Sequence, residues 1–146
     1  MKSMVISGDK SIPRLNYRAY HPGYAKTFPI ININLLKREI EVKKEHYKMN
    51  TVFKYEDVAI MQSYGLTDKK GVEVFEKDVI QFTLVGESEP KRWCLENDDI
   101  IREDKLHSHD KTYLFKSGFE VIGNAYEDIS LVLIRKNWIK DKEVRI

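Results

Sequence analysis

The chain has one cysteine, Cys94, among 146 residues. No internal disulfide can form, which agrees with a reducing compartment, and a bridge to another chain would need oxidising conditions. Long apolar runs are missing too. The longest, Phe28 to Leu36, is interrupted by Pro29, Asn32 and Asn34, far short of the ~20 apolar residues that a membrane helix needs. Around Met4-Val5-Ile6 the N-terminus carries Lys2, Asp9 and Lys10 and lacks the apolar stretch of a signal peptide. A cytoplasmic protein without a membrane partner is expected. Also absent are a glycine-rich phosphate loop, a His-Glu-x-x-His pair, a nucleophile elbow, internal repeats and low-complexity tracts.

What is present suits one globular domain. Hydrophobic residues make up 42% of the chain and charged residues 33%, enough apolar material for a core and too much for a disordered chain. A chain of this length buries roughly 70% of its unfolded surface, which leaves little room for a second independent core. The net charge of +2 says little about partners, but its distribution is uneven. From Lys2 to Lys26 five basic residues face Asp9 alone; from Glu87 to Asp110 eight acidic residues face four basic ones; from Arg135 to Ile146 five basic residues face two acidic ones. Basic ends and an acidic middle suit nucleic acid on one face or polar self-association; plain solvated charge is the commoner meaning of such a layout.

Residues 1–13 show no period and end at Pro13, so a loosely ordered arm is expected there. Arg14 to Tyr20 alternates Leu15, Tyr17 and Ala19 with polar neighbours, the period of a half-buried strand, until His21-Pro22-Gly23 breaks it. The same reasoning predicts strands over Ile30–Leu36, Glu39–Lys43, from Val52, and over Val58–Tyr64, Val72–Phe75, Val79–Val85, Lys91–Glu96, Tyr113–Phe115, Phe119–Tyr126 and Leu131–Ile134. Leu36, Ile40 and Tyr47 would also fit one helical face. Asp68-Lys69-Lys70-Gly71 is the best turn signal, because Gly71 takes positive φ without steric cost and closes a short hairpin. Asp78 is expected to accept backbone N–H groups of a tight turn. Asn97-Asp98-Asp99 reads as a turn and Gly123-Asn124 as a bulge. Many short strands with no strong helix predict a mainly β fold, a small barrel or a sandwich.

One long segment, Met61-Gln62-Ser63-Tyr64-Gly65-Leu66-Thr67-Asp68-Lys69-Lys70-Gly71-Val72-Glu73-Val74-Phe75-Glu76-Lys77-Asp78-Val79, resembles the YopX family of phage and prophage proteins. Their pattern there is Met-Gln, an aromatic, Gly-Leu, Asp-Lys, Gly, then aromatic-Glu-Gly-Asp-Ile-Val. Phe119-Glu120-Val121-Ile122-Gly123-Asn124-Ala125-Tyr126-Glu127 resembles the segment that ends the family's common region, and Tyr17-Arg18-Ala19-Tyr20 its beginning. The order is the family's, and together the three cover roughly residues 14 to 133. Tyr20 stands where Trp is usual. Lys77 stands where Gly is frequent, which implies a turn that does not require positive φ. The resemblance implies an SH3-like β-barrel core, elaborated by N-terminal strands and one or two short helical turns, spanning residues 14–134 and followed by a basic tail, 135–146. It further implies a bacterial host cell and supplies no catalytic residue.

Candidate chemistry is thin. His107-Ser108-His109-Asp110 would put two imidazoles on one strand face beside a carboxylate, yet a closed zinc site needs about four ligands and only distant Cys94 or Glu96 to Asp99 could add to it. A solvated turn accounts for it better, and no metal or cofactor is expected. Cys94 has no histidine beside it in sequence, so it reads as a small buried hydrophobe next to Trp93. Glu96, Asp98, Asp99, Glu103 and Asp104 read as a solvated loop. Basic and aromatic residues do interleave at Arg18 and Tyr20, at Tyr64 with Lys69 and Lys70, and at Arg92. Small barrels use this arrangement to stack bases and track phosphates. Core aromatics alternating with exposed cations are the commoner cause. The expectation is therefore a non-enzymatic binding or assembly module, contacting a protein partner or a second copy of itself. Nucleic acid binding through Arg18, Tyr20, Tyr64, Lys69, Lys70 and Arg92 is the alternative, and an enzyme acting on a small ligand a third.

Overall fold

The computed structural model describes residues 16–44, 49–133 and 138–139. The expected arm and most of the basic tail lie outside these, as do Arg14 and Leu15.

The fold is mainly β, in two antiparallel sheets. The first contains β1 (Tyr17–His21), β2 (Lys26–Asn34), β3 (Glu39–Val42), β4 (Thr51–Lys54), β5 (Ala59–Thr67) and β6 (Glu73–Phe75), in the order β4-β3-β2-β1-β5-β6. The second contains β7 (Asp78–Leu84), β8 (Pro90–Cys94), β9 (Ile100–Arg102), β10 (Lys105–Ser108) and β11 (Lys111–Asn124), in the order β8-β7-β11-β10-β9. Both orders are open, and no closed barrel forms among the described residues. A 3-10 turn at Tyr55–Asp57 and a short helix α1 (Ile129–Leu133) are the helical pieces.

The buried apolar residues form two clusters, and the larger one takes residues from both sheets. Ala19, Phe28, Ile40, Val42 and Phe53 bury one face of β1 to β4, where cross-strand register aligns Ala19 with Phe28 and Ile40 with Phe53. The larger core gathers Val79, Ile80, Phe82, Trp93, Leu95, Ile101, Leu106, Phe115 and Phe119, with Val74 reaching in from β6. Trp138 and Ile139 are buried in the same core, so its apolar layer continues beyond residue 134.

The hairpin around Gly71 forms as expected, with Gly71 at φ 86° and Asp68 N–H donating to the Val72 carbonyl. The bulge at Gly123 forms as well, as a register shift between Val121 and Gly123. Gly123 is fixed by close approach: a Cβ there would lie 2.6 Å from Asp128 Oδ2 and 2.7 Å from Leu131 Cδ1.

Three expectations need correction. Leu131 begins no strand, because the segment is helical from Ile129. Leu131 and Val132 both pack on the larger core, which consecutive residues of a strand with one buried face cannot do. Residues 100–108 form β9 and β10 where only a turn at 97–99 was expected. The hairpin from β10 to β11 turns at His109 and Asp110, both left-handed at φ 52° and 66°. That is the geometry that Asn-Gly usually announces, and His-Asp does not. Finally, Lys77 does adopt positive φ, 70°. Its N–H donates to the Leu95 carbonyl, its carbonyl accepts from Ala125 N–H, and its ammonium meets Glu96 at 2.7 Å. These contacts hold a non-glycine residue where glycine would be easier.

Candidate functional site

The two sheets meet at a joint centred on Arg18 and Asp78. Asp78 opens β7, three residues after β6 ends, and its Oδ2 accepts the Phe75 N–H at 2.8 Å, the tight-turn role expected of it. Its Oδ1 accepts from Arg18 Nη2 at 2.5 Å. Arg18 also donates to Met61 Sδ and lies 4.5 Å over the Phe75 ring. Burial raises the Asp78 carboxyl above the usual carboxylate value, although Arg18 and the Phe75 amide pull it down. The guanidinium and carboxylate thus neutralise each other inside the protein.

A second fastening lies at the Asp68 turn. Asp68 Oδ1 accepts the N–H groups of Lys70 and Val72, and Oδ2 reaches across to the Val121 N–H of β11. Burial alone would raise this carboxyl, but the three amides and nearby Lys70 hold it below the usual value. Lys69 N–H donates to the Phe119 carbonyl in the same crossing. A cleft of about 580 Å³ opens beside the joint, between Arg18, Thr27, Glu73, Phe75 and Glu127. Its acids are engaged: Glu73 accepts from Asn16 and Ser63, and Glu127 accepts the Thr27 N–H.

The six residues proposed for nucleic acid or partner contact do not converge. Arg18 is held at the joint. Tyr20 stacks on Tyr126 with centroids 5.2 Å apart. Tyr64 packs on the larger core and donates its hydroxyl to the Glu96 carbonyl; burial and nearby Asp99, Glu76 and Glu96 push its phenol well above the usual value. Lys69 and Lys70 are exposed on the hairpin, where Lys69 reaches the Ser117 carbonyl and Lys70 pairs with Glu120 at 3.4 Å. Arg92 is half-buried in β8, with its backbone bridged to Trp138. His107 sits in β10 against Thr112, while His109 lies in the following turn, so the two imidazoles do not share a strand face. Among the described residues no group of three or more His, Cys, Asp or Glu is placed to hold a metal ion.

One residue that the sequence assigned to a solvated loop is central instead. Asp99 is buried and accepts from Trp93 Nε1, Glu96 N–H and Ser108 Oγ. The signal available was its position just before an apolar pair, Ile100-Ile101; nothing in the acidic run singled it out.

A family model described as YopX protein matches residues 16–132. The chain belongs to the YopX family. The segments that carry the resemblance are the ones that build the joint: Arg18 from the first, Asp68, Phe75 and Asp78 from the second, and Val121, Tyr126 and Glu127 from the third. In this YopX chain they fasten sheet to sheet. A search of curated proteins finds no match. Among solved structures the chain is similar to protein EF1440 from Enterococcus faecalis, at 17% identity and a TM-score of 0.52, over 83% of this chain and 99% of the other. That likeness shows the fold.

The sheet edges differ in how they are protected. β8 begins with Pro90 and is bridged by Trp138, and β9 is three residues long and ends in Arg102. β6 is also three residues long and its pairing with β5 slips between Ser63 and Thr67. Short length, proline, charge and bulges are the usual devices against unwanted pairing. The YopX edge strand β4, four residues long and ending in Lys54, has neither proline nor bulge, and among the described residues nothing pairs with its outer side. Val52 is 54% exposed and Met49, just before it, 81%. No helix among the described residues is long and apolar enough to cross a membrane.

Proposed function

We propose that this YopX protein is a non-enzymatic binding or assembly module, encoded by a phage or prophage and working in the bacterial cytoplasm, that takes up a protein partner along β4. The observation that supports it is the outer side of β4, which nothing pairs among the described residues and beside which Met49 and Val52 are exposed. An added strand supplies main-chain hydrogen bonds, and alternate side chains supply specificity. The SH3-like barrel implied by the resemblance belongs to this reading, since small bent sheets leave short edges for partners.

The test is capture from cell extract by the immobilised protein, against a variant carrying Met49→Lys and Val52→Lys. Both residues are exposed, so the fold is untouched. A protein retained by the wild type and lost by the variant is expected. Equal retention by both, or none by either, contradicts the reading. The exposed Lys69-Lys70 pair supports a second reading, binding to a polyanion. Its signature is affinity for single-stranded DNA or RNA that falls steeply with salt and weakens in a Lys69→Ala, Lys70→Ala variant.

A further inference from the structure

We infer that the cleft beside the joint is a second binding site, one that takes a lysine side chain of a partner protein. It shares the protein-partner reading above but not the β4 edge, so either can fail alone.

The cleft, about 580 Å³, is of the size that holds small ligands. Two polar groups in its wall lack the partners that buried groups normally have. Asn124 is 7% exposed and lines the cleft. The Tyr126 and Glu127 N–H groups both donate to its Oδ1, which fixes the orientation of the amide and turns Nδ2 the other way. Nδ2 has no acceptor among the described residues. Thr27 Oγ1, in the same wall, is buried without a partner too. Asn124 therefore calls for an acceptor, such as a carbonyl oxygen, on whatever fills the cleft.

Charge selects the other end of the ligand. Arg18, the one cation lining the cleft among the described residues, is neutralised by Asp78. Glu73 and Glu127 are left in excess. Each is bonded to the protein through Oε2 alone, Glu73 to Asn16 and Ser63 and Glu127 to the Thr27 N–H. A guanidinium fork binds best to both oxygens of one carboxylate, and Oε2 of each glutamate is already taken. An ammonium has three donors that turn freely, and it takes single oxygens. The wall also includes the apolar Ile30 and Phe75, against which a methylene chain packs. Ammonium, methylene chain and carbonyl acceptor together make a lysine residue.

Titration of the whole isotope-labelled chain with N-acetyl-lysine N-methylamide, followed by NMR, tests this. The side-chain amide signals of Asn124 should shift, with a dissociation constant of about 1 mM, the strength expected of so small a ligand. The norleucine analogue keeps the chain and the carbonyls but has no ammonium, and it should bind about tenfold more weakly. The arginine analogue, and cadaverine, which has no carbonyl, should both bind more weakly than the lysine analogue. Glu127→Gln keeps an oxygen for the Thr27 N–H but loses the charge. It should weaken the lysine analogue about threefold with the melting temperature unchanged. No shift at Asn124 at ten times that concentration, or a norleucine analogue that binds as well as lysine, overturns the site. An arginine analogue that binds more tightly overturns the choice of an ammonium. Cadaverine that binds more tightly than the lysine analogue overturns the partner protein in favour of a free amine. Capture through Met49 and Val52 reports on β4 separately from all of these results.

Discussion

Asp68 accepts hydrogen bonds from three amides, two within its own turn and one in β11. Asp68→Asn turns a donor toward the Val121 N–H, and leaving such a group unsatisfied costs about 1–3 kcal/mol. The pH dependence follows from its lowered folded-state pKa. The stabilisation is complete above the unfolded carboxyl value and is lost as pH falls through the folded one. The melting-temperature gap between wild type and Asp68→Asn should therefore shrink as pH is lowered below about 4. A constant gap would show that the charge plays no part. Lys77 gives a second residue-level prediction. Lys77→Gly and Lys77→Ala both lose the Glu96 ion pair, but only glycine relieves the positive φ. Glycine should be the better tolerated by about 1 kcal/mol in denaturant unfolding. The turn at Asp68 and Gly71 was legible because turn chemistry is local. The strain at Lys77 was hidden, because contacts to Leu95, Ala125 and Glu96 impose it from distant strands.

Among the elements, the strands with a polar and an apolar face were legible from alternation, and β7 and β8 lie close to their expected bounds. Strands β9 and β10 were not, since they are short and joined by turns without Gly or Asn. The helix α1 was misread because its apolar residues are too few to show a period. The segment after it carries a prediction of its own. Trp138 is buried in the larger core and bridges Arg92 of β8. Trp138→Ala should cost about 3–5 kcal/mol, read as a fall in the denaturation midpoint. Removing residues 135–146 should destabilise the fold to a similar degree. A deletion variant with unchanged stability would show that the segment is dispensable to the core.

At the scale of the whole molecule, two open sheets are held in one body by the polar contacts of the joint and by Tyr64, Leu66 and Val74 of the first sheet, which pack into the larger core. Arg18→Ala leaves the buried Asp78 carboxyl without its partner, and breaking such a pair should cost about 3–5 kcal/mol, read as a fall in the denaturation midpoint. Interleaved basic and aromatic residues look alike in sequence whether they meet a ligand or a second sheet, so Arg18 and Tyr64 stood as contact candidates beside the commoner pattern of core aromatics and exposed cations. Only the assembled fold, with Asp78 across from Arg18 and the Glu96 carbonyl across from the Tyr64 hydroxyl, separates the two. The open β4 edge was invisible for the complementary reason: strand order is a property of the whole sheet. Capture from cell extract by the immobilised protein, beside the Met49→Lys, Val52→Lys variant, tests its role most directly. A protein retained by the wild type and lost by the variant is expected, and equal retention by both would contradict uptake of a partner along β4.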